Sequence, residues 1–323
     1  MKIGIYGFGN LGKGAAQAVL QRTDMELLGI FTRRTPESLQ GNAPAPVYPA
    51  REVENYKEHI DVMLNCGGSA TDLPETTPML ARYFNVVDSF DTHASIKSHF
   101  QHVNKTALAH DHTVLISAGW DPGLFSLFRA YAGVLFPKSE TETFWGPGVS
   151  QGHTQAIKNI PGVIDAVQYT VPDQARKAAF MRQGGKASAE ENHRRVCYVC
   201  APEEEQARIV KEITQMQHYF KGYHTQVHFV SESELMKKRS NAHGGCVCAV
   251  AKTGDRDRSF KNLAQFRLSM ESNPFFTGEV LAAFAGAVYH LSQVRDYGAK
   301  TVFDLPLSAF VSAENRARLL QYL

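Results

Sequence analysis

The 323-residue sequence contains no apolar run approaching the roughly 18 residues that a membrane-spanning helix needs. It also has no long block of one charge, because 34 basic and 32 acidic residues are intermixed and give a formal charge of +2. A membrane contact, a basic nucleic-acid-binding arm and an acidic tail are therefore not expected. No leader-like region precedes the first apolar segment, so we expect a cytoplasmic protein whose partner is a small molecule.

Cysteine is also scarce, with five residues at spacings that form no disulfide framework, which is typical of a reducing compartment. Two close pairs, Cys197/Cys200 and Cys246/Cys248, could instead suggest a metal site. A structural zinc site usually places Cys-x-x-Cys on turns. The segment RVCYVC favours a strand, where positions i and i+3 face opposite sides. We therefore interpret the cysteines as structural thiols and expect no metal.

The first 119 residues alternate short β-rich runs with helical periods. The runs are KIGIYG, ELLGIF, DVMLNC, NVVDSF and TVLISAG, and helix-like segments lie between several of them, at residues 13–21, 77–84 and 95–110. This order is typical of βαβ units in a doubly wound parallel sheet. We predict an α/β protein whose Rossmann-type dinucleotide-binding domain spans residues 1–119, with the tail 297–323 packed back on it.

The pattern changes after residue 120. One helix, at 124–136, is followed by longer strands, and only two long helices interrupt them, around 203–217 and 276–294. We predict a second α+β domain over residues 120–296 with a mostly antiparallel sheet. Within it, RQGGKASAEENH favours an exposed loop.

The segment GFGNLG, residues 7–12, follows the first strand and opens the first helix. In a dinucleotide-binding loop, Gly7 permits the tight turn, Gly9 lets the backbone approach the pyrophosphate, and Gly12 permits close helix packing. The helix N-terminus then faces the diphosphate. The position of the motif in the first βα unit favours this interpretation over an ordinary glycine turn.

The end of the second strand predicts which dinucleotide is bound. An NAD site usually has an acidic residue there for the ribose diol. This chain has Phe31-Thr32-Arg33-Arg34, with no carboxylate. A hydroxyl and two guanidinium groups suit a 2′-phosphate, so we predict NADP. The alternative is that both arginines are ordinary surface charges.

Loops after the later strands are expected to complete the site, because ligands of open α/β sheets collect at the carboxyl ends of strands. These loops are residues 66–72, 89–93 and 118–123. The carboxylates of Asp88, Asp91 and Asp121 could face a cationic substrate. Asp72 could instead be a helix N-cap.

Ten segments together resemble the NADP-dependent meso-2,6-diaminopimelate dehydrogenases of bacterial lysine and cell-wall precursor metabolism: GFGNLG, GIFTRR, GSATD, VDSFDTH, AGWDPG, FWGPGVSQGH, VQYT, HRR, AHGG and SNPFF. The resemblance extends from the first strand to the last tenth of the chain. AGWDPG and FWGPGVSQGH are far more specific than the glycine loop. One departure is visible, because Thr154-Gln155 replaces the family's Ser-Asp.

The glycine loop, the strand-end loops and this resemblance together predict cofactor contacts at Gly7, Phe8, Gly9, Asn10, Leu11, Gly12, Thr32, Arg33, Arg34, Cys66, Gly67, Gly68, Ser69, Ser89, Phe90, Asp91, Ala118, Gly119, Trp120, Asp121 and Pro122. The resemblance implies a second domain, residues 120–296, that binds the substrate and forms a homodimer. It implies substrate contacts at Asp91, Asp121, Trp145, Gln151, Gly152, Thr170, Arg195, His243 and Asn273, to which we add Trp120.

Diaminopimelate is a zwitterion at each end, so its pocket needs carboxylates for ammonium groups and cationic or hydroxyl donors for carboxylates. Asp91 and Asp121 suit the first need, and Arg195, Thr170 and His243 suit the second. The implied reaction is oxidation at the D-centre, with release of ammonium and formation of L-2-amino-6-oxopimelate. Asp121, and next Asp91, is the predicted catalytic proton acceptor.

Two other kinds of protein are compatible with the glycine loop. A non-catalytic NADP-binding sensor would have no need of the polar residues predicted in the second domain. Another oxidoreductase, such as a reductase of a different lysine-pathway intermediate or an aldehyde dehydrogenase, would need its own catalytic group. For the aldehyde dehydrogenase that group is a nucleophilic cysteine, and Cys66 in a glycine loop is poorly placed for it.

Overall fold

The computed structural model describes residues 1–217, 219–255, 257–310, 319, 321 and 323. The chain divides into two compact units. Met1–Leu127 and Pro274–Leu323 form the first unit, and Phe128–Asn273 forms the second. No helix among the described residues is long and apolar enough to cross a membrane.

The first part of the chain alternates strands and helices, as the sequence predicts. In chain order these are β1 (Lys2–Tyr6), α1 (Asn10–Leu20), β2 (Glu26–Thr32), α2 (Glu37–Gln40), β3 (Val47–Pro49), β4 (Val62–Asn65), α3 (Leu73–Leu80), β5 (Asn85–Asp88), α4 (Ile96–Ala109), β6 (Thr113–Leu115) and α5 (Leu124–Leu135).

Longer strands and short helices follow. They are β7 (Glu140–Trp145), β8 (Gly148–Val149), α6 (Gln151–Lys158), β9 (Asp165–Pro172), α7 (Gln174–Gln183), α8 (Ala189–Asn192), β10 (His193–Cys200), α9 (Gln206–Gln215), β11 (His224–Phe229), α10 (Glu232–Lys238), β12 (His243–Gly254) and β13 (Ser259–Met270). The long helix α11 (Asn273–Gln293) and the strand β14 (Gly298–Lys300) come after them.

The first unit contains a seven-stranded parallel sheet in the order β14-β6-β5-β4-β1-β2-β3. Its central strands are apolar on both faces because helices cover both. One core cluster joins the sheet to α1 and α11, and the other joins it to α3 and α4. The predicted Rossmann-type parallel sheet is confirmed.

The end of the second domain differs from the predicted border at residue 296. The helix α11 belongs to the first unit, because it packs closely on α1 through glycines. A Cβ atom on Gly14 would lie 2.5 Å from the carbonyl oxygen of Pro274. One on Gly278 would lie 2.4 Å from the backbone of Gly14. The strand β14, in the tail expected to return to the first domain, pairs with β6 in the sheet.

The second unit contains two separate sheets, ordered β11-β10-β9-β8 and β13-β12-β7. All their pairings are antiparallel except β10 with β11, so the predicted α+β class is confirmed. Cys197 and Cys200 of β10 lie in different core clusters on opposite faces. All five cysteines are buried and unpaired.

The segment expected to be an exposed loop, residues 182–193, is partly ordered into secondary structure. α7 continues into it, and the short helix α8 follows its N-cap Ser188, which forms a capping box with Glu191. The spacing Ser-x-x-Glu is itself a local helix-start signal, which the loop prediction overlooked.

Candidate active site

A cavity of about 400 Å³ lies in the first unit, where β1, β2 and β4 end. The predicted cofactor residues 7–9, 32–34 and 66–68 all line it. The complete lining is Tyr6, Gly7, Phe8, Gly9, Phe31, Thr32, Arg33, Arg34, Cys66, Gly67, Gly68, Asp72 and Thr76. Asn10, Leu11 and Gly12 form the adjoining first turn of α1.

The glycine loop has the geometry that the motif requires. Gly7 has φ +94°, a value that favours glycine, and its N–H donates to the carbonyl of Phe31 at 2.8 Å. A Cβ atom on Gly12 would lie 2.1 Å from the Gly7 carbonyl oxygen, whereas one on Gly9 would meet nothing within 4 Å. No side chain of the described residues caps α1 at Gly9, so its first N–H groups can face an anion.

Arg33 and Arg34, which follow β2, line the cavity. The Thr32 hydroxyl accepts a hydrogen bond from the Arg34 N–H at 3.1 Å, and the Arg34 guanidinium donates to the Phe8 carbonyl. Arg33, with 69% of its side chain exposed, forms an ion pair with Asp72 at 3.0 Å. Asp72 precedes α3 but does not cap it with its side chain; it balances Arg33 instead.

Cys66 cannot act as the nucleophile that an aldehyde dehydrogenase needs. Its side chain is buried, and burial raises the pKa of the thiol to about 12. The reactive form of cysteine is the thiolate, which this environment suppresses.

Asp88 does not face a substrate, contrary to the sequence-based suggestion. The carboxylate is fully buried and accepts hydrogen bonds from the Thr77 hydroxyl and from the backbone N–H groups of Phe90 and Ser117, at 2.8 to 3.0 Å. His99 Nε2 lies 2.8 Å from the same carboxylate. Asp88 therefore organises the ends of β5 and β6 from inside the domain.

The loop after β5 exposes Asp91. Its N–H donates to the Ser69 hydroxyl at 2.8 Å, which links the loops after β4 and β5. Ser89 is half-buried, and Phe90 is buried in a stack on His99 with 4.1 Å between ring centroids. Only the backbone of Phe90 could therefore reach a cofactor.

The loop after β6, residues 118–122, leads into α5. Ala118 and Trp120 are buried, and the rings of Trp120 and Phe125 pack in a T-shaped arrangement with 5.3 Å between centroids. Asp121 and Pro122 are half-buried. None of these residues lines the 400 Å³ cavity, so their predicted contacts to cofactor and substrate stay predictions.

A second cavity of the first unit, about 830 Å³, lies at the segments that precede β4, β5 and β6. It is therefore at the amino edge of the sheet, away from the glycine loop. Its basic lining also lies beside the C-terminal ends of α3 and α4, where cations complement the helix dipole. It is lined by Lys57, Glu58, Arg82, Tyr83, His102, Lys105, Thr106, Ala109, His110 and His112.

In the second unit, Arg195 and Thr170 lie opposite each other on β10 and β9. Both are buried, and the Arg195 guanidinium donates to the Thr170 hydroxyl. The guanidinium carbon also lies 4.0 Å from the ring centroid of Tyr223. Antiparallel register explains the pairing, because directly opposed residues of neighbouring strands project on the same face.

The charge of Arg195 has no counter-ion beside it. Among the described residues no carboxylate forms an ion pair with it, and its Nε–H has no hydrogen-bond partner. Burial lowers the pKa of Arg195, and Tyr223 and the exposed Glu190 partly offset that effect. Arginine nevertheless stays charged in proteins, so the second unit holds a buried positive charge beside Thr170 and Tyr223.

His243 joins this group through the strand β8. Gly148 pairs with Thr170 in the sheet, and a Cβ atom on Gly148 would lie 2.5 Å from the His243 ring. The His243 Nδ1 atom lies 2.8 Å from the N–H of Gly244, and burial lowers the pKa of the imidazole. The structure thus brings together Thr170, Arg195 and His243, which the sequence predicted as one carboxylate site.

Trp145 ends β7 beside a histidine with a fixed tautomer. Its backbone N–H donates to His193 Nε2 at 2.8 Å, and the two rings stack at 5.0 Å between centroids. Because Nε2 accepts, Nδ1 carries the proton and donates to the Ala189 carbonyl at 2.8 Å. Burial, followed by repulsion from Arg195, lowers the pKa of His193 to about 4.

The helix α6 presents the remaining predicted substrate residues. Gln151 and Gly152 are exposed in its first turn, after the N-cap Ser150. His153 follows, bonded to the Ser150 hydroxyl through Nδ1, and burial together with the charge of Arg195 lowers its pKa to about 4. The first turn of α6 therefore lies within electrostatic reach of Arg195.

The two residues that differ from the family's Ser-Asp, Thr154 and Gln155, lie on α6. Thr154 is buried, and its hydroxyl accepts from the N–H of Gln168 at 3.0 Å. Gln155 is exposed and donates to Asn159 at 2.9 Å on the same helix. Asn273 begins α11, and its N–H donates to the Asn241 carbonyl at 2.7 Å.

Three residues around Arg195 were missed in the sequence. His153 and His193 belong to the motifs SQGH and HRR, so a signal for them was present. Tyr223 gave no signal, because its contact depends on the turn before β11.

Comparisons with known proteins identify the family of the chain. A model of the "diaminopimelic acid dehydrogenase C-terminal domain" family matches residues 119–272. The meso-diaminopimelate D-dehydrogenase of Ureibacillus thermosphaericus is 48% identical over 95% of this chain and 94% of its own. The meso-diaminopimelate D-dehydrogenase of Corynebacterium glutamicum is 36% identical over 94% of this chain and 93% of its own.

Solved structures agree as well. The C. glutamicum diaminopimelate dehydrogenase in complex with diaminopimelate has a TM-score of 0.92 and 35% identity, covering 99% of this chain and 98% of that one. An engineered D-amino acid dehydrogenase bound to NADP+ has a TM-score of 0.87 and 34% identity, with the same coverage. The chain belongs to the meso-diaminopimelate D-dehydrogenase family of nicotinamide-dependent amino-acid dehydrogenases.

Proposed function

We propose that this protein catalyses the NADP-dependent oxidative deamination of meso-2,6-diaminopimelate at its D-centre, reversibly, to L-2-amino-6-oxopimelate and ammonium. The observation that carries this proposal is the buried Arg195, which has no carboxylate partner among the described residues. An unpaired buried charge is costly unless a ligand compensates it. A substrate with a carboxylate far from the reacting carbon supplies that compensation.

The residues of the second unit also argue against a coenzyme sensor. Thr170 and His243 accompany Arg195 as hydrogen-bonding groups for a carboxylate. A protein that only sensed NADP would gain nothing from these buried polar groups, whose burial costs stability.

The residues of the first unit fit a dinucleotide. Gly9 leaves open space at the uncapped N-terminus of α1, and Gly12 permits the close turn that shapes the loop. When bound, the nicotinamide supplies the hydride acceptor for the oxidised Cα. Asp121 is proposed to take the proton from the reacting ammonium, and the exposed Asp91 to bind an ammonium group.

The function is tested by following absorbance of the reduced nicotinamide with NADP and each diaminopimelate stereoisomer. We expect turnover of the meso form and none of the LL form, because a pocket that grips the L-centre must present a D-centre for oxidation. Comparable rates with both isomers would instead indicate an unselective amino-acid dehydrogenase.

We propose that Arg33 and Arg34 select NADP by binding its 2′-phosphate. Charge-assisted contacts worth about 1.5 to 3 kcal/mol each predict at least a roughly tenfold preference for NADP over NAD. Replacing Arg34 by Ala should lower kcat/KM with NADP at least about tenfold and change kcat/KM with NAD little. Steady-state kinetics with both coenzymes measure this preference.

Arg51→Ala is the matched control, because Arg51 is an 83% exposed arginine that does not line the cavity. Arg51→Ala should leave kcat/KM with NADP and with NAD unchanged. Equal efficiency with NAD and NADP in the unmodified protein would contradict the assignment of the two arginines.

We further propose a homodimer formed through the second unit. The helix α5 exposes Tyr131, Val134 and Leu135, which lie on one side of the helix at i, i+3 and i+4. β13 exposes Phe260 and Leu263. Exposed apolar groups of this kind are typical of association surfaces. Light scattering after size exclusion should give twice the chain mass, and a monomer mass would contradict the proposal.

A further inference from the structure

We propose that Tyr223 is a positioning residue that holds Arg195 for the distal carboxylate through the face of its ring. This inference rests on the proposed function and adds a residue to the same site. The ring centroid lies 4.0 Å from the guanidinium carbon, and both groups belong to the second unit.

The chain fixes Tyr223 from two sides. Gly222 has φ +93°, which turns the backbone just before Tyr223, and the Tyr223 N–H donates to the Phe220 carbonyl at 3.0 Å. The Tyr223 carbonyl accepts from the Thr225 hydroxyl at 3.3 Å. Thr225 is the residue of β11 that pairs with Arg195 in the sheet. Tyr223 lies two residues before Thr225, which places its ring near the guanidinium group.

The contact with the ring leaves a donor of the guanidinium available. All five N–H donors of arginine lie in the plane of the group, and an aromatic ring occupies only a face. Thr170 takes one donor at the edge, and Nε–H has no partner among the described residues. The ring of Tyr223 therefore compensates part of the buried charge while Nε–H stays available to a carboxylate.

Both the ring and the hydroxyl of Tyr223 act on Arg195. The ring centroid lies 4.0 Å from the guanidinium carbon, and a side-chain hydrogen bond with Tyr223 is among the effects that raise the pKa of Arg195 against its burial. Tyr223→Phe keeps the ring and removes only the hydroxyl, so its KM for diaminopimelate should rise less than that of Tyr223→Leu. Tyr223→Leu removes the π-face but keeps an apolar side chain.

The test compares Tyr223→Phe and Tyr223→Leu with meso-diaminopimelate and with an apolar D-amino acid. In Tyr223→Leu we expect KM for diaminopimelate to rise about 3- to 30-fold, the range of a partly buried cation–π contact, with kcat little changed. Kinetics with the apolar D-amino acid should be unchanged, because it has no distal carboxylate. A purely structural role would impair both substrates together.

Tyr219→Leu is the matched control. Tyr219 lies in the same turn, is 39% exposed and packs on His153 rather than on Arg195. It should leave KM for diaminopimelate unchanged. An equal rise of KM in Tyr219→Leu, or a loss in Tyr223→Phe as large as in Tyr223→Leu, would overturn the assignment to the ring of Tyr223.

Calorimetric titration with pimelate, a dicarboxylate without amines, separates this inference from the proposed function. We expect Tyr223→Leu to weaken pimelate binding about 3- to 30-fold and Tyr223→Phe to weaken it less. If the unmodified protein does not oxidise meso-diaminopimelate but the variants show this pattern, the function fails and the inference stands. Unchanged pimelate binding in Tyr223→Leu would overturn the inference.

Discussion

Replacing Arg195 by Met is expected to lower kcat/KM for meso-diaminopimelate by about 30- to several-thousand-fold, corresponding to about 2 to 5 kcal/mol. The distal carboxylate loses water on entering the pocket, and its guanidinium partner would be absent. An apolar D-amino acid carries no such carboxylate, so its oxidation should change little or improve. Steady-state kinetics with both substrates measure the difference, after circular dichroism has shown that the fold survives.

Arg194→Met provides the control for this experiment. Arg194 precedes Arg195 on β10, so its side chain projects to the opposite face of the sheet, and it is half-buried. Arg194→Met should change kcat/KM little for either substrate. Equal losses on both substrates in Arg195→Met would place Arg195 at the reacting centre, and no loss on either would remove it from the site.

Replacing Asp121 by Asn is expected to lower kcat by about 10²- to 10⁴-fold, the usual contribution of a positioned proton acceptor. The substitution keeps the size of the side chain but removes its basicity, so KM should change much less than kcat. The remaining activity should increase with pH, because solvent base must then take the ammonium proton. A pH series of kcat for the variant and the unmodified protein measures this loss.

Asp91→Asn is the companion variant, since Asp91 is the second candidate and is exposed. We expect it to raise KM more than it lowers kcat, in keeping with binding of an ammonium group. If Asp91→Asn shows the larger fall in kcat, the two roles are exchanged. If Asp121→Asn keeps full kcat, Asp121 is not the proton acceptor.

Local sequence patterns were sufficient to predict much of the coenzyme site. GFGNLG and FTRR each lie within a few residues at a strand end, and the carboxyl ends of parallel strands meet at one edge of a sheet. The structure accordingly places residues 7–9, 32–34 and 66–68 around one cavity. Asp88 was misjudged because a carboxylate at a strand end has the same sequence pattern whether it faces a ligand or, as here, backbone N–H groups inside the domain.

The sequence by itself determined the family, the alternation of strands and helices, and the chemical types of the site residues, because these are written in short motifs and periodicities. Only the tertiary structure decided that α11 belongs with the first unit, through the contact of Gly14 with Gly278. It also decided that Arg195 is buried without a carboxylate and faces Tyr223. Close approach and compensation of a buried charge depend on residues far apart in the chain, and no local pattern encodes which of them meet.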